Sequence, residues 1–385
     1  MAQYSASIRR LLVSGLVDYL GAGLFLAFSA VYFTQLVGLT IAQVGLGMGA
    51  AGCVAMAGAT PLGRLADRVG VRRMLVALHL VRAGGTAAYA VVGEFWGFLA
   101  AVTAVTVADQ SIAALTQAFV AELAGEERRG RVMAAYRTIA NIGISVGGPL
   151  GGLLTGASGR SAFQVILLVN AAAYLLTGLL VRTIGRRGAP ATAPGPSPVR
   201  RSRALRERRL LAFAGIDTLL QLWLPVLNLG FPLWLIADGQ VPRAWIGPLY
   251  AINTVLGVAL MVPSARFTAS VKAARRCQVA GAVALAAACL AFWASWFPVA
   301  IVVLTFGEIA VVAAAWTLSY ALAPGERRAE YLAAFGMGRS FGRYVLGPLL
   351  VTGLLQALGG LTWAILAALF CAAALATLLP GDPGT

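Results

Sequence analysis

Charged residues are scarce in this sequence. Asp, Glu, Lys and Arg make up 11% of its 385 residues, whereas an ordinary soluble domain has about 25%. Apolar residues make up 59%, which is more than a soluble fold can enclose. This balance excludes an ordinary soluble globular protein, because so much apolar surface needs an apolar solvent such as a lipid bilayer.

Cysteine and histidine are also scarce. The four cysteines, Cys53, Cys277, Cys289 and Cys371, lie in or beside apolar stretches and lack metal-ligand spacing, and His79 is the single histidine. The sequence contains no nucleotide-binding loop and no arrangement of a nucleophile with a base. We therefore expect no metal, no cofactor and no enzymatic activity, and we expect any pumping to be driven by a gradient.

Long apolar stretches, by contrast, recur along the whole chain. A helix needs about 20 apolar residues to cross the hydrocarbon core, and the absence of alternation with a period of two argues against barrel strands. The sequence predicts an all-α membrane protein with twelve transmembrane helices. The predicted spans are 11–34, 43–62, 74–93, 96–121, 132–154, 162–181, 209–236, 244–262, 278–295, 297–322, 331–356 and 361–379.

Basic residues outnumber acidic ones by 30 to 14, and their positions follow the predicted topology. Most of them, such as Arg72 and Arg73, fall between spans on one side, whereas Arg160 and Arg243 fall on the other. The positive-inside rule then predicts that both termini are cytoplasmic and that the protein is a multi-pass protein of the cell membrane. Because topology explains the net charge of +16, we expect no nucleic-acid partner. The expected partners are the bilayer, a small-molecule substrate and protons, and the expected state is a monomer.

One segment, 185–208, is rich in proline, alanine, glycine and arginine and cannot span a membrane. It predicts a flexible cytoplasmic linker. On either side of it lie two six-helix bundles, predicted at 1–184 and 209–385.

The two predicted bundles look like copies of one unit. At a shift of 199 positions, Asp18 aligns with Asp217 and Asp109 aligns with Glu308. A Gly-Pro-Leu triplet in the fifth predicted span also aligns with one in the eleventh. A duplicated six-helix unit with a cavity between its halves is a known way to build a transporter.

A short motif lies between the second and third predicted spans. It reads GRLADRVGVRR from Gly63 to Arg73 and resembles the loop signature of the major facilitator superfamily, with Val71 in place of a basic residue. Together with the twelve spans and the repeat, the resemblance covers nearly the whole chain. It implies the major facilitator fold of two pseudo-symmetric six-helix bundles.

In that family, the aspartate of the motif locks the two halves together in the outward-facing state. The resemblance implies a conformational latch here, one-sided because the second half lacks the aspartate. The alternative is that the basic residues of the loop only enforce topology. The latch candidates are Gly63, Asp67, Arg68, Gly70, Arg72 and, as a partner, Glu122.

The fifth predicted span carries a second motif, GISVGGPLGG, whose glycines are Gly143, Gly147, Gly148, Gly151 and Gly152. It resembles an element of the drug:proton antiporters of the superfamily, although Pro149 stands one place later than in their pattern. The resemblance implies a tight packing face that favours export. The alternative is generic helix packing through small residues.

Acidic residues inside predicted spans are candidate proton carriers, because such charges are costly in a bilayer and usually face a partner or a cavity. Asp109 and Glu308 lie near the middle of their spans and are the first candidates, followed by Asp18 and Asp217. Burial favours the neutral form of a carboxyl and a nearby arginine favours the charged form, so alternating access can load and release a proton.

Four arginines lie within predicted spans and are candidate charge partners: Arg82, Arg137, Arg339 and Arg343. From their depths we predict that Asp18 pairs with Arg137 and Asp217 with Arg339. The alternative is that all these charges form permanent structural ion pairs. The fourth span lacks the basic residue common in the drug exporters, and Arg82 is a candidate to replace it.

Aromatic and amide side chains in the first, fourth, seventh and tenth predicted spans are candidates to line the substrate cavity, and such a mixture suits an apolar, cationic or amphipathic solute. The candidates are Tyr32, Gln110, Gln117, Gln221, Trp223, Asn228, Trp234 and Trp316. The alternative is that these side chains only pack the spans or form interfacial belts.

Taken together, these features predict a proton-coupled secondary transporter that exports small amphipathic or hydrophobic molecules, such as drugs or metabolites, by alternating access. Two alternatives on the same fold stay open: an importer or uniporter of a polar solute, and a lipid flippase.

Overall fold

The computed structural model describes residues 5–26, 29–156, 160–185, 207–323 and 328–378. All regular structure in these ranges is helical. The predicted linker lies almost wholly outside the described residues, because its positions 186–206 are not among them.

The chain divides into two compact units, Met1–Pro196 and Ser197–Thr385. In the described part of the first unit, six helical segments follow the predicted spans in order. They are Ala6–Leu26 continued by Ser29–Val31 and the π-helical turn Tyr32–Leu36, Ile41–Val69, Val71–Tyr89, Phe95–Ala124, Glu126–Gly156 and Arg160–Arg182.

The described part of the second unit also contains six helical segments, two of which are interrupted by π-helical turns. They are Arg208–Leu220 continued by Trp223–Pro225, Val226–Gly230 and Phe231–Asp238, then Ile246–Ser264, Val271–Trp293, Phe297–Leu322, Arg328–Phe341 continued by Gly342–Leu346 and Gly347–Leu358, and Leu361–Leu378. The π-helical turns are Val226–Gly230 in the seventh span and Gly342–Leu346 in the eleventh.

Within the described ranges, eight helices are long and apolar enough to cross a membrane, or nine if the two parts of the first span count as one. The remaining helical segments also stand where the sequence predicts spans. The third span, Val71–Tyr89, shows why a test based on length and composition misses some spans. It carries Arg72, Arg73, His79 and Arg82 on a helix of 19 residues.

The turn between the second and third spans depends on Gly70. Its φ of 98° lies in a region that other residues rarely adopt, so the second span ends at Val69 and the third begins at Val71. Directly after this turn, Arg72 donates a hydrogen bond of 2.8 Å to the carbonyl oxygen of Ile184, at the end of the sixth span. Arginines near a helix C-terminus satisfy carbonyls that lack helical partners.

The second unit repeats this arrangement. Arg275, near the start of the ninth span, donates a hydrogen bond of 2.7 Å to the carbonyl oxygen of Thr377, in the last turn of the twelfth. In both units, therefore, an arginine of the third helix caps the end of the sixth helix.

Each unit has its own apolar core. In the first unit, Leu12, Leu75, Ala108 and Phe119 are fully or almost fully buried and join the first, third and fourth spans. In the second unit, aromatic rings are stacked: Phe292 lies 4.8 Å from Trp363 and 5.8 Å from Phe231, measured between ring centroids. Burial of side chains of this size contributes about 1.5–3 kcal/mol each, although in lipid the gain comes mainly from packing.

Candidate transport site

Arg82 of the third span contacts two acidic side chains of the first unit. Its Nη1 lies 2.7 Å from Oδ1 of Asp18 in the first span, and its Nε contacts Oδ1 of Asp109 in the fourth span. The side chains of Arg82 and Asp18 are almost fully buried, whereas that of Asp109 is 42% exposed. One arginine thus joins two carboxylates, and Asp109 is the more accessible of the two.

Two more side chains complete this cluster. The guanidinium carbon of Arg82 lies 3.7 Å from the ring centroid of Tyr174 in the sixth span, a cation–π contact. Nδ1 of His79, one turn before Arg82, lies 3.8 Å from Oδ1 of Asp18. The cluster therefore joins the first, third, fourth and sixth spans. The single histidine of the chain belongs to it.

The partner of Asp18 differs from the one predicted, Arg137, because the structure pairs it with Arg82. The fifth span faces the first at this level through Tyr136, whose ring lies 6.0 Å from that of Tyr19. The next residue on a helix points about 100° away, and Arg137 is accordingly exposed.

In the second unit, four polar side chains form a continuous network of polar contacts between the seventh and eleventh spans. Nε of Arg339 lies 3.3 Å from Oδ2 of Asp217, as the sequence predicted. The amide nitrogen of Gln221 donates a hydrogen bond of 3.0 Å to Oδ1 of Asp217. Nε of Arg343 donates one of 2.7 Å to Oε1 of Gln221. Asp217 and Gln221 are fully buried, so this network fixes Arg339 and Arg343 relative to the seventh span.

Glu308, the equivalent of Asp109, has different surroundings. The amide nitrogen of Asn253, in the eighth span, donates hydrogen bonds of 3.2 Å to Oε2 of Glu308 and 2.9 Å to Oγ1 of Thr305. Within the described residues, no arginine or lysine forms an ion pair with Glu308. The two mid-span acids thus differ: Asp109 contacts a cation directly, and Glu308 is bound by an amide.

Two of the predicted cavity residues, Tyr32 and Trp234, form hydrogen bonds with backbone of their own unit. Tyr32 is fully buried, and its hydroxyl donates a hydrogen bond of 2.8 Å to the carbonyl oxygen of Tyr89. Trp234 donates from Nε1 to the carbonyl oxygen of Phe292 at 2.9 Å and lies edge-on to Trp363. Backbone of the same unit therefore satisfies the polar atom of each of these two aromatic side chains.

The other predicted cavity residues are dispersed. Gln221 and Trp223 are buried next to Arg343, and Asn228 is half-buried beside Tyr250. Gln117 is exposed. Gln110 is half-buried with an amide nitrogen that has no hydrogen-bond partner in the described part of the chain, and Trp316 is 44% exposed and stacks on Tyr320.

The predicted latch residues lie around the turn between the second and third spans. Asp67 and Arg68 are exposed in the last turn of the second span, and Gly63 lies about one turn before Asp67. Arg72 is bonded to the sixth span, as described above, and Glu122 is exposed near the end of the fourth. Their role as a latch stays a prediction.

Comparison with known proteins assigns the chain to a family. The profile described as Major Facilitator Superfamily matches residues 11–344. The chain belongs to the major facilitator superfamily. It is therefore a multi-pass membrane transporter by family and fold. No curated protein matches the sequence.

Solved structures of transporters of the major facilitator superfamily are similar to the chain in fold. A variant of the nucleoside transporter NupG has a TM-score of 0.83 at 15% identity, with 97% of this chain and 99% of that chain covered. A D-xylose-proton symporter has a TM-score of 0.74 at 15% identity, covering 98% of both chains. A bacterial homologue of the human lysosomal transporter Spinster has 0.69 at 14%, covering 96% and 92%.

The glycine motif that resembles the superfamily's drug:proton antiporters packs against the first span. A β-carbon at Gly143 would lie 2.8 Å from that of Tyr19, and one at Gly147 would lie 2.9 Å from the backbone nitrogen of Leu24. Gly151 approaches the backbone of Leu24 as closely. Gly148 has open space beside it, and Pro149 lies within the continuous helix Glu126–Gly156. The fifth span is therefore pressed onto the first along glycines four residues apart.

Several residues of the site were not singled out from the sequence. Tyr174, Asn253 and Thr305 are ordinary polar residues within apolar helices, and only their contacts to charged groups distinguish them. Gln221 follows Asp217 by four residues, which places both on one helix face. That spacing is the one feature of the sequence that indicates the link from Asp217 through Gln221 to Arg343.

Proposed function

We propose that the protein is a proton-coupled secondary transporter that exports small amphipathic or hydrophobic molecules by alternating access. The observation that carries this proposal is the sharing of one buried arginine, Arg82, by Asp18 and Asp109. With both acids ionised, the three groups carry one uncompensated negative charge. Burying such a charge is costly, so the cluster has a physical reason to take up one proton.

Asp109 is the better site for that proton. Its side chain is 42% exposed, whereas that of Asp18 is almost fully buried, so a proton reaches Asp109 without displacing packed side chains. Protonation of Asp109 removes its attraction to Arg82 and leaves the neutral pair of Arg82 and Asp18. A proton thereby changes which helices the arginine holds together, which is the kind of change that couples protonation to a conformational step.

Two further observations support parts of this proposal. The close packing of the fifth span on the first uses the glycine motif that resembles the drug:proton antiporters, and this supports export. One of the proteins with a similar fold is a D-xylose-proton symporter, and this supports proton coupling on this fold.

Import of a polar solute is the second candidate function. It is favoured by three polar groups of the second unit, Asn253, Glu308 and Arg343. These groups can form hydrogen bonds with a polar solute, which an apolar molecule cannot do. Another protein of similar fold is a nucleoside transporter, and nucleosides are polar solutes.

Purified protein in proteoliposomes can test coupling and direction together. A panel of amphipathic cations, nucleosides and sugars is presented with and without an imposed pH gradient, and a pH-sensitive dye reports proton movement. We expect gradient-driven accumulation of an amphipathic compound in the orientation that corresponds to export, and its loss in Asp109→Asn. Glu308→Gln is measured in parallel, because Glu308 is the second candidate proton carrier.

The matched control is Glu94→Gln, at an exposed acid at the start of the same helix as Asp109, which should leave coupling intact. If Asp109→Asn and Glu308→Gln both retain full coupling, the assignment of the proton site is wrong. Gradient-driven uptake of a sugar or nucleoside in the opposite direction would establish the second candidate instead.

A further inference from the structure

Arg343 has unused hydrogen-bonding capacity. It lies in the π-helical turn Gly342–Leu346 of the eleventh span, and its Nε is bonded to Gln221. Its two terminal nitrogens have no hydrogen-bond or ion-pair partner among the residues that the structure describes. These nitrogens form the planar fork that binds a carboxylate through two parallel hydrogen bonds.

Glu308, an acid, also has hydrogen-bonding capacity that the described residues do not use. Oε2 accepts the hydrogen bond from Asn253, and Oε1 accepts none from any described residue. Glu308 and Arg343 are near enough to act on each other electrostatically, yet they form no ion pair within 4 Å. The second unit therefore holds an anion on the tenth span and a cation on the eleventh that do not neutralise each other by direct contact.

The separation of acid and arginine occurs in the second unit and not in the first, where Asp109 contacts Arg82 directly. At the 199-residue shift, the position equivalent to Arg82 is Gly281, so no ninth-span arginine reaches Glu308. The ninth and tenth spans instead pack closely there, because a β-carbon at Gly281 would lie 3.0 Å from the carbonyl oxygen of Gly307. The position equivalent to Arg343 in the first unit is Ile144. The halves have thus diverged: one acid is paired, and the other is left with a distant counterion.

Trp223 supplies an aromatic surface beside Arg343. The guanidinium carbon of Arg343 lies 5.5 Å from its ring centroid. Trp223 is 6% exposed, and its indole nitrogen has no hydrogen-bond partner in the described ranges. The indole nitrogen of Trp363 also lacks a partner among the described residues, but Trp223 differs from it by lying next to Arg343. A bound molecule with an acceptor and an apolar body would give the Trp223 nitrogen a partner. The seventh and eleventh spans both carry π-helical turns near this level, a feature frequent at functional sites.

We propose that these groups form a subsite for a small zwitterion, in which Arg343 binds an anionic group, Glu308 binds an ammonium group and Trp223 contacts the apolar body between them. This proposal rests on the proposed function, because it names the chemical class of the transported molecule. A ligand with one charge satisfies one residue and leaves the other unpaired in a low-dielectric site, which disfavours its binding.

Binding to the full-length protein in detergent tests this selectivity. Phenylalanine carries both charges, phenethylamine only the positive one and 3-phenylpropionate only the negative one, on the same ring. A second series, 4-(aminomethyl)benzoate with benzylamine and benzoate, covers a larger charge separation. We expect the zwitterion of at least one series to bind about tenfold more tightly than both of its singly charged analogues, since a hydrogen bond to a charged group contributes about that much.

The variants identify the groups responsible. In Arg343→Gln, the zwitterion should bind no better than the matching amine, and in Glu308→Gln no better than the matching carboxylate. Arg243→Gln, at an exposed arginine of the same unit, is the matched control and should keep the preference. If either glutamine variant is not monodisperse, Arg343→Lys and Glu308→Asp keep the charges and should retain a weakened preference.

Two results overturn the proposal: equal or absent binding across both series in the unaltered protein, or a zwitterion preference that persists in well-folded Arg343→Gln or Glu308→Gln. The assay uses no gradient. A protein that prefers zwitterions but moves no protons would therefore refute proton coupling alone, and a proton-coupled protein without the preference would refute the subsite alone.

Discussion

Arg82 has an unusual position for a membrane residue, because it is buried and bound by two acids and an aromatic ring at once. An isolated arginine in a bilayer is strongly unfavourable. Here the contacts to Asp18, Asp109 and Tyr174 compensate the loss of water. The same contacts make the cluster sensitive, since removing the one cation leaves two acids without a partner.

Replacing Arg82 should therefore destabilise the protein strongly. We expect Arg82→Gln to lower the free energy of unfolding by about 3–5 kcal/mol, the usual effect of removing one partner of a buried ion pair. A second change, Asp18→Asn, should restore part of this loss because it removes the stranded charge. Thermal unfolding of the detergent-solubilised protein measures both effects.

Arg137→Gln is the matched control, because Arg137 is exposed on the neighbouring fifth span. Its loss should change stability by about 1 kcal/mol or less, as for exposed charges in general. Equal destabilisation by the two arginine variants would contradict the view that Arg82, and not Arg137, compensates Asp18.

For individual residues, the sequence predicts the charged groups of the spans but only part of their pairing. It identified the acids and arginines of the spans and the pair of Asp217 with Arg339, since both lie at similar depth. It assigned Asp18 to Arg137 instead of Arg82. Depth along a helix can be counted from the sequence, but the direction in which a side chain points depends on how neighbouring helices are rotated.

Among the helices, the contact of the fifth span with the first depends on residue size more than on residue chemistry. Gly147 faces the backbone of Leu20 and Leu24 at distances that leave no room for a side chain, whereas Gly148, one residue later, faces open space. A helix that uses small residues at every fourth position presents one flat face. The other face of the same helix is free to vary.

These two neighbouring glycines make a matched pair for mutation. Gly147→Ala should destabilise the protein by about 1–3 kcal/mol, because the added methyl group forces the two backbones apart. Gly148→Ala should be neutral or stabilising by up to about 1 kcal/mol, because alanine favours the helix and meets no neighbour. The melting temperatures of the two variants test this difference. A larger loss in Gly148→Ala than in Gly147→Ala would show that the packing face is assigned to the wrong side of the helix.

In each of the two units, an arginine that the positive-inside rule places in the cytoplasm also caps the end of a helix. The side that is rich in arginine by sequence includes Arg72 and Arg275, which cap the last helix of each unit. The same residues that are expected to hold the loops in the cytoplasm therefore also close the helical bundles.

The predicted orientation can be checked with two glycines that tolerate a side chain. Gly93, between the third and fourth spans, and Gly130, at the start of the fifth, both have open space beside them. With the four native cysteines replaced by alanine, Gly93→Cys should react with a membrane-impermeant maleimide in intact cells. Gly130→Cys should react only after permeabilisation. The reverse pattern would place both termini outside.

The sequence by itself determined the class of protein, the positions of the helical spans, the two related halves and the acids they share. These follow from how much apolar surface a chain carries and where it is interrupted, which are properties of local stretches. The tertiary structure alone decided that Arg82 joins Asp18 to Asp109, that Tyr32 and Trp234 bond to backbone of their own unit, and that Glu308 and Arg343 stand apart. Those outcomes depend on helix rotation and close packing, which bring together residues that are more than sixty positions apart in some cases, such as Asp18 and Arg82.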